Sequence, residues 1–183
     1  MVDNLSPYTR DILSCLERLN TNYICKKFHE VIGYQYDLFD KVILSGRSKP
    51  GRDTNIANSQ IVANCDLYGT PILGICYGAE IMALALGGSI RRMVSPVREV
   101  TRVLLSGSAG TYPMFPEGTE LCVYESHAYC VARIPNQFVS IAYSKYCKNE
   151  IFLHPGKKLI GVQFHPEKSG DDGLRLLSGF LCF

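Results

Sequence analysis

The stretch ILGICYGAE, residues 72–80, sets a cysteine between two glycines directly after an apolar run. A tight strand-to-helix turn needs residues without a β-carbon, because its backbone is strained and closely packed. Such a turn lifts one side chain above the carboxyl end of a sheet, as the G-x-S-x-G elbow does for serine. Here the five residues are G-I-C-Y-G, so Cys76 would stand at the elbow with Gly74 and Gly78 on either side. A helix opening at Tyr77 would aim its amino end at the sulfur and favour the thiolate, which is the reactive form. These residues alone leave two readings of Cys76: a nucleophile, or a small core side chain at a strand end.

A cysteine nucleophile needs a base. The chain has four histidines, His29, His127, His154 and His165. His165 lies in GVQFHPE, where an apolar strand ends and a proline forces a break just before Glu167. A carboxylate within reach of an imidazole fixes its tautomer and stabilises its cation. The plainer alternative is a histidine packed at a turn beside a solvated glutamate. His127, in ESHAY, is a second candidate base, whereas His29 and His154 have no such context and read as surface or packing residues.

Composition narrows the classes. A chain of 183 residues suggests one domain over 1–183, long enough to bury a core without staples. It is 46% hydrophobic and 20% charged, too apolar for a disordered chain. A net charge of +2 without any block of five like charges argues against nucleic acid as a partner. MVDNLSPYTR does not read as a secretory leader, and no apolar run reaches the roughly 20 residues that span a bilayer. The expected location is the cytosol, with no membrane partner and with the eight cysteines as reduced thiols. They form no C-x-x-C pair, which speaks against zinc and dithiol chemistry. Cys15, Cys25, Cys65 and Cys122 read as small core residues. No G-x-x-x-x-G-K-[ST] loop exists, so no cofactor is expected of this chain.

The elements that must position these residues alternate. SPYTRDILSCLERLN predicts a helix with Ser6 as N-cap, Pro7 in the first turn, and Ile12, Leu13, Leu16 and Leu19 on one face. NYICKKF, DKVILSG and TPILGI predict strands, the second ending at Gly46. IANSQIVANCDLYG predicts a helix with Ile56, Ile61 and Cys65 inside. YGAEIMALALGG predicts a helix stopped at Gly87 and Gly88. This alternation implies a three-layer α/β fold with a mostly parallel sheet covered by helices. SIRRMVSPVREVTRVLLSGSAGTYPMF and ELCVYESHAYCVARI are β-rich and predict antiparallel hairpins beside it. KLIGVQFH predicts a further strand, and SGDDGLRLLSGFLCF a closing helix with Leu174, Leu177 and Leu181 on one face. The opening strand, within MVDN, is very short or truncated by the choice of start codon.

PILGICYG followed by GVQFHPE resembles the class I glutamine amidotransferases, and the resemblance runs over nearly the whole chain. It implies a flavodoxin-like amidotransferase fold and L-glutamine as substrate. By that resemblance Cys76 is the nucleophile, His165 the general base and acid, and Glu167 the third member of the triad. Thiolate attack would pass through an oxyanion to a γ-glutamyl thioester and ammonia, and water would release glutamate. The oxyanion donors are implied to be the Tyr77 amide and an amide at Gly46 or Arg47, each worth about 10²–10³ in rate. ESHAY implies Ser126 and His127 at the substrate α-carboxylate.

Two positions depart from the family pattern. Arg47 stands in SGRSKPG where the family has glycine, and arginine is less free to adopt unusual backbone angles. Glu80 stands where the family usually has a substrate-contacting glutamine. One helical turn from Cys76, a carboxylate there would raise the thiol pKa, pair with the substrate ammonium, or turn to a neighbouring backbone group. GICYG, ALGGSI and FVSIAYSKYC resemble the detached glutaminase of GMP synthase. VDNLSPYT resembles the anthranilate and aminodeoxychorismate synthase glutaminases, and FHPEKSGDDGLRLL that of imidazole glycerol phosphate synthase. The GMP synthase type is favoured. The implied partner is a separate synthase subunit that receives the ammonia and carries any ATP chemistry. Two other classes stay open: a regulatory module that keeps the fold without turnover, and a stand-alone cysteine hydrolase of γ-glutamyl or peptide bonds.

Overall fold

The computed structural model describes residues 1–31, 33–34, 36–106, 116 and 118–182. In chain order the elements are β1 (Val2–Asp3), α1 (Thr9–Arg18), β2 (Lys26–Lys27), β3 (Val42–Leu44), α2 (Arg52–Tyr68), β4 (Ile72–Ile75), α3 (Tyr77–Ala85), β5 (Ser89–Leu105), β6 (Glu120–Arg133), β7 (Val139–Tyr143), β8 (Ile151–Leu153), β9 (Leu159–Val162) and α4 (Gly170–Cys182). Among the described residues the strands form one nine-stranded sheet in the order β2-β1-β3-β4-β9-β8-β7-β5-β6. β2, β1, β3, β4 and β9 run parallel. β8, β7, β5 and β6 continue the same sheet antiparallel.

β3, β4 and β9 carry no charge and are buried throughout, as strands covered by helices on both faces must be. Side chains alternate across a strand. Ile43, Leu73, Ile75, Ile160 and Val162 therefore enter one apolar layer, with Ile12 and Leu16 of α1 and Leu176, Leu177 and Phe180 of α4. Val42, Leu44, Ile72 and Leu159 enter the other, with Ile61, Val62 and Cys65 of α2 and Ile81 and Met82 of α3. The result is the three-layer α/β arrangement that the alternation of elements implied. No described helix is long and apolar enough to cross a membrane.

Several local expectations change. α1 begins at Thr9 rather than after a Ser6 cap. Ser6 Oγ accepts the Tyr8 N–H at 3.2 Å and its carbonyl accepts the Thr9 N–H, so Ser6 closes a turn ahead of the helix. NYICKKF yields only the exposed pair Lys26–Lys27 as strand, a sheet edge kept solvated by its lysines. Ile56 is 47% exposed. Thr54, Ala57, Asn58, Ile61, Val62 and Cys65 face inward instead, and the two polar members of that stripe hide it from a hydrophobic pattern. Cys122 is exposed and Cys25 half-buried, so only Cys15 and Cys65 of those four are core residues. The β-rich region forms an antiparallel hairpin of β5 with β6, as expected, and Leu104 and Leu105 of β5 pair with β7, which joins it to the sheet. Residues 107–115 of that stretch, and Phe183 of the closing helix, lie outside the described residues.

Candidate active site

The sequence-identified residues converge at the carboxyl ends of the parallel strands, where open α/β sheets place their ligands. Cys76 follows β4 with φ 51° and ψ −106°, a region that residues with a β-carbon rarely adopt. Two close approaches hold it there. A β-carbon on Gly74 would lie 2.5 Å from the Gly78 carbonyl, and one on Gly78 would lie 2.5 Å from the Leu44 oxygen. Glycine at both positions lets α3 descend onto β4 and β3. The Cys76 N–H donates to the Val162 carbonyl at 2.8 Å, which ties the elbow to the strand that delivers His165.

β9 ends at Val162, and Pro166 opens a 3₁₀ turn over Pro166–Lys168. That turn carries Glu167 back to its neighbour, with His165 Nδ1 and Glu167 Oε1 at 2.8 Å and both residues buried. The His165 N–H donates to the Tyr124 carbonyl at 2.9 Å, and Ser169 Oγ donates to the His165 carbonyl at 2.6 Å. The imidazole is therefore fixed along its backbone and at its ring. Burial works against its cation, but the Cys76 sulfur and Glu167 outweigh this and hold its pKa well above the ordinary imidazole value. The thiol and the imidazole both border Gly46 and influence each other electrostatically. Burial pushes the thiol pKa up, His165 pulls it down, and Glu80 and Glu125 add to the rise. The amino end of α3 does not by itself make this sulfur a thiolate; the histidine must supply the counter-charge.

Gly46 borders both groups, since a β-carbon there would lie 3.1 Å from His165 Cε1 and 3.8 Å from Cys76 Cβ. Tyr77 opens α3, so its N–H has no acceptor within the helix. Arg47 adopts no left-handed backbone; among the described residues the non-glycine positions with positive φ are Leu5, Asn20 and Cys76. Its side chain turns toward α2 and α3 instead. Nη1 donates to Asn55 Oδ1 at 2.6 Å, and the guanidinium lies over the Tyr77 ring. A second network anchors the start of the same loop. The Asn4 N–H donates to Ser45 Oγ at 2.9 Å, Asn4 Nδ2 to the Ser45 carbonyl at 3.0 Å, and Asn58 Nδ2 to Asn4 Oδ1 at 2.7 Å. A buried thiol, an imidazole oriented by a carboxylate, and backbone donors nearby are the parts that acyl transfer through a thioester requires.

On the remaining side, Cys76 Sγ is 3.9 Å from the Ser126 carbonyl oxygen. The His127 ring is engaged with Glu125, Nε2 to Oε2 at 2.7 Å, and burial lowers its pKa. Glu80 is buried, and its Oε1 accepts from Gln163 Nε2 at 3.4 Å. Burial raises its pKa and Gln163 opposes the rise. Among the described residues no three His, Cys, Asp or Glu side chains gather as a metal site. A cavity of about 610 Å³ lined in part by Met1, Leu16, Tyr23, Leu38 and Leu181 shares no residue with this centre.

Sequence reasoning missed two groups. The Tyr8 ring meets His165 edge-on, with centroids 4.7 Å apart. Its hydroxyl donates to Ser126 Oγ at 3.3 Å and lies 3.5 Å from that of Tyr124. Arg98 Nε donates to the Tyr124 hydroxyl at 3.2 Å. Tyr8 falls within the VDNLSPYT stretch, whose resemblance to a glutaminase segment was a usable signal. The second group is the buried pair Glu125 and Glu150. Glutamates in apolar strands were visible in the sequence, but nothing there brings them together.

Residues 1–182 match the family model described as glutamine amidotransferase class-I. The chain is 34% identical over 142 residues to a glutamine-hydrolyzing GMP synthase subunit of Methanocaldococcus jannaschii, covering 76% of this chain and 71% of that one. It is 38% identical over 113 residues to the GMP synthase of Treponema denticola, covering 61% of this chain and 21% of that protein. It is 30% identical over 184 residues to a protein of Leptospira interrogans described as probable GMP synthase, of which it spans 30%. Against such longer relatives the chain thus spans less than a third of their length. Among solved structures, a Thermoplasma acidophilum protein provisionally assigned as a GMP synthase subunit superposes with a TM-score of 0.82 at 26% identity, covering 99% of this chain and 90% of that one. PurLQS from Thermotoga maritima shares the fold, with a TM-score of 0.80 at 16% identity over 98% of this chain and 94% of that one.

Proposed function

The chain belongs to the class I glutamine amidotransferases, and from that premise we propose that residues 1–183 act as the glutaminase subunit of a GMP synthase. In this reading Cys76 attacks the side-chain amide carbon of L-glutamine. His165 takes the thiol proton, gives a proton to departing ammonia, and then activates water against the γ-glutamyl thioester. Glu167 holds the imidazole in one tautomer and stabilises its cation. The Tyr77 amide and an amide at Gly46 or Arg47 receive the oxyanion. Ser126, His127 and Glu80 border the bound glutamine.

One observation carries the reading: a strained, buried Cys76 that borders Gly46 together with an imidazole whose Nδ1 is 2.8 Å from Glu167. The choice of GMP synthase, and of a separate synthase as receiver of the ammonia, is motivated by the match to 71% of the length of the GMP synthase subunits from Methanococcus aeolicus and Methanocaldococcus jannaschii. The test is glutamate release from L-glutamine by the purified chain, alone and with the synthase component from one of those two organisms, beside Cys76→Ala. Release that needs Cys76 and rises with the synthase supports the whole reading. Release that needs Cys76 but ignores every synthase points to a stand-alone hydrolase. A folded chain that releases none, with partner or without, overturns the glutaminase role.

A further inference from the structure

Glu125 of β6 and Glu150 immediately before β8 are both 0% exposed. An isolated carboxylate in such a place is strongly disfavoured. The bonds they make are to neutral or weakly basic groups: Glu125 Oε2 meets His127 Nε2 at 2.7 Å, and Ser144 Oγ donates to Glu150 Oε1 at 2.5 Å. Glu125 Oε1 and Glu150 Oε2 are buried without a hydrogen bond, and each carboxyl feels the other electrostatically. The titratable groups around the pair are His127 and Cys130 of β6, Cys147 before β8, Glu80 of α3, Cys76 at the elbow, and His165 beyond β9. None is a permanent cation.

The backbone on either side of the pair is tied to the segments that carry Cys76 and His165. On the β6 side, the neighbouring Ser126 carbonyl is 3.9 Å from Cys76 Sγ, and the Tyr124 carbonyl accepts the His165 N–H at 2.9 Å. On the β8 side, the Glu150 carbonyl accepts the Gln163 N–H at 2.8 Å, two residues before His165. We propose that Glu125 and Glu150 are positioning residues: they keep a shared proton at neutral pH, hold residues 124–127 in register against Cys76 and His165, and by losing that proton set the alkaline limit of glutamine hydrolysis. Two like charges in this interior would repel and displace residues 124–127, and the charge on Glu125 would oppose the Cys76 thiolate. Burial accords with this, holding Glu125 up at about 7 and Glu150 well above the carboxylate range.

The proposal rests on the glutaminase reading for its activity measurement only. The first measurement is the pH profile of kcat/KM for glutamine, for the native chain and Glu150→Gln, which keeps shape and hydrogen bonding but cannot ionise. The native enzyme is expected to lose about tenfold per pH unit on the alkaline side, a loss that Glu150→Gln is spared while staying within about threefold of native at neutral pH. An alkaline limb unchanged in the variant overturns the proposal. The second measurement is denaturant unfolding across about pH 5 to 8. A carboxyl whose folded pKa is raised stabilises the fold below its unfolded pKa, and that stabilisation is lost as pH rises through the folded value. Native stability should therefore decline over this window, and less steeply in Glu150→Gln. Equal slopes, or no decline in the native chain, overturn the pair. If Glu150→Gln does not fold, Glu125→Gln replaces it in both measurements. If no glutamine is hydrolysed at any pH, the functional reading fails and the stability slopes alone decide the pair.

Discussion

The Arg47 guanidinium carbon lies 3.8 Å from the centroid of the Tyr77 ring. It joins the loop after β3 to the first residue of α3, and Asn55 of α2 accepts from both partners, at 2.6 Å from Arg47 Nη1 and 2.9 Å from the Tyr77 hydroxyl. Arginine at this position therefore braces the two backbone segments nearest the sulfur without any unusual backbone angle of its own.

Arg47→Ala and Asn55→Ala should each lower the unfolding free energy by about 1 kcal/mol, the scale of a cation–π contact or one hydrogen bond. The double variant should fall short of the sum, because both changes dismantle one network. Denaturant melts of the four proteins in the cycle check this, and strict additivity would show that the clamp does not act as a unit.

Backbone strain at Cys76 predicts an inverted preference. A residue with a β-carbon at such an angle costs on the order of 1–3 kcal/mol. Cys76→Gly should thus be more stable than Cys76→Ala by about 1 kcal/mol, the reverse of the order in a helix interior. Both should release no glutamate. Parallel thermal and denaturant melts of the two inactive variants give the comparison.

Glu167→Gln should weaken the His165 cation. The raised His165 pKa means that its contribution to stability is full below the unfolded imidazole value of about 6.5 and is lost as pH rises through the folded value. The variant should therefore be less stable than native at mildly acidic pH and converge with it at alkaline pH. Without its counter-charge Cys76 should alkylate about tenfold more slowly at neutral pH. Iodoacetamide rates at Cys76, followed by mass spectrometry, measure this directly; an unchanged rate would remove Glu167 from the proposed triad.

Glu80→Gln keeps the partner of Gln163 and removes a like charge from the neighbourhood of the sulfur. Cys76 alkylation at neutral pH should rise by about threefold, with stability equal to or above native because a buried acid is replaced by an amide. A fall in kcat/KM with faster alkylation would instead assign Glu80 to the substrate ammonium, and the KM against kcat split would show it.

The legible part of this protein was local. Gly74 and Gly78 around Cys76 announced an elbow because only residues without a β-carbon let α3 meet β3 and β4 so closely. Val42–Leu44, Ile72–Ile75 and Leu159–Val162 announced buried strands because a strand covered on both faces tolerates no charge. HPE announced a histidine with a carboxylate two residues on, and a single 3₁₀ turn suffices to bring them together. Each signal lies within a few residues of its consequence, which is the range over which sterics and hydrogen bonding act without the rest of the fold.

Strand order decided what remained. Ile56 faces outward because the inner stripe of α2 includes Asn58, whose partner Asn4 lies 54 residues away. Tyr8 reaches Ser126 across 118 residues, and Gln163 reaches Glu80 across 83. Arg47 reads in sequence as an intrusion into a glycine loop and becomes a brace only because α2 sets Asn55 beside it. Glu125 and Glu150 come into one buried region only because Tyr124 of β6 bridges to His165 while the Glu150 carbonyl takes the Gln163 N–H. Long-range electrostatics and packing of this kind depend on which strands the sheet makes neighbours. The sequence marked Cys76, His165 and Glu167 as candidates, and the tertiary structure determined which charges surround them.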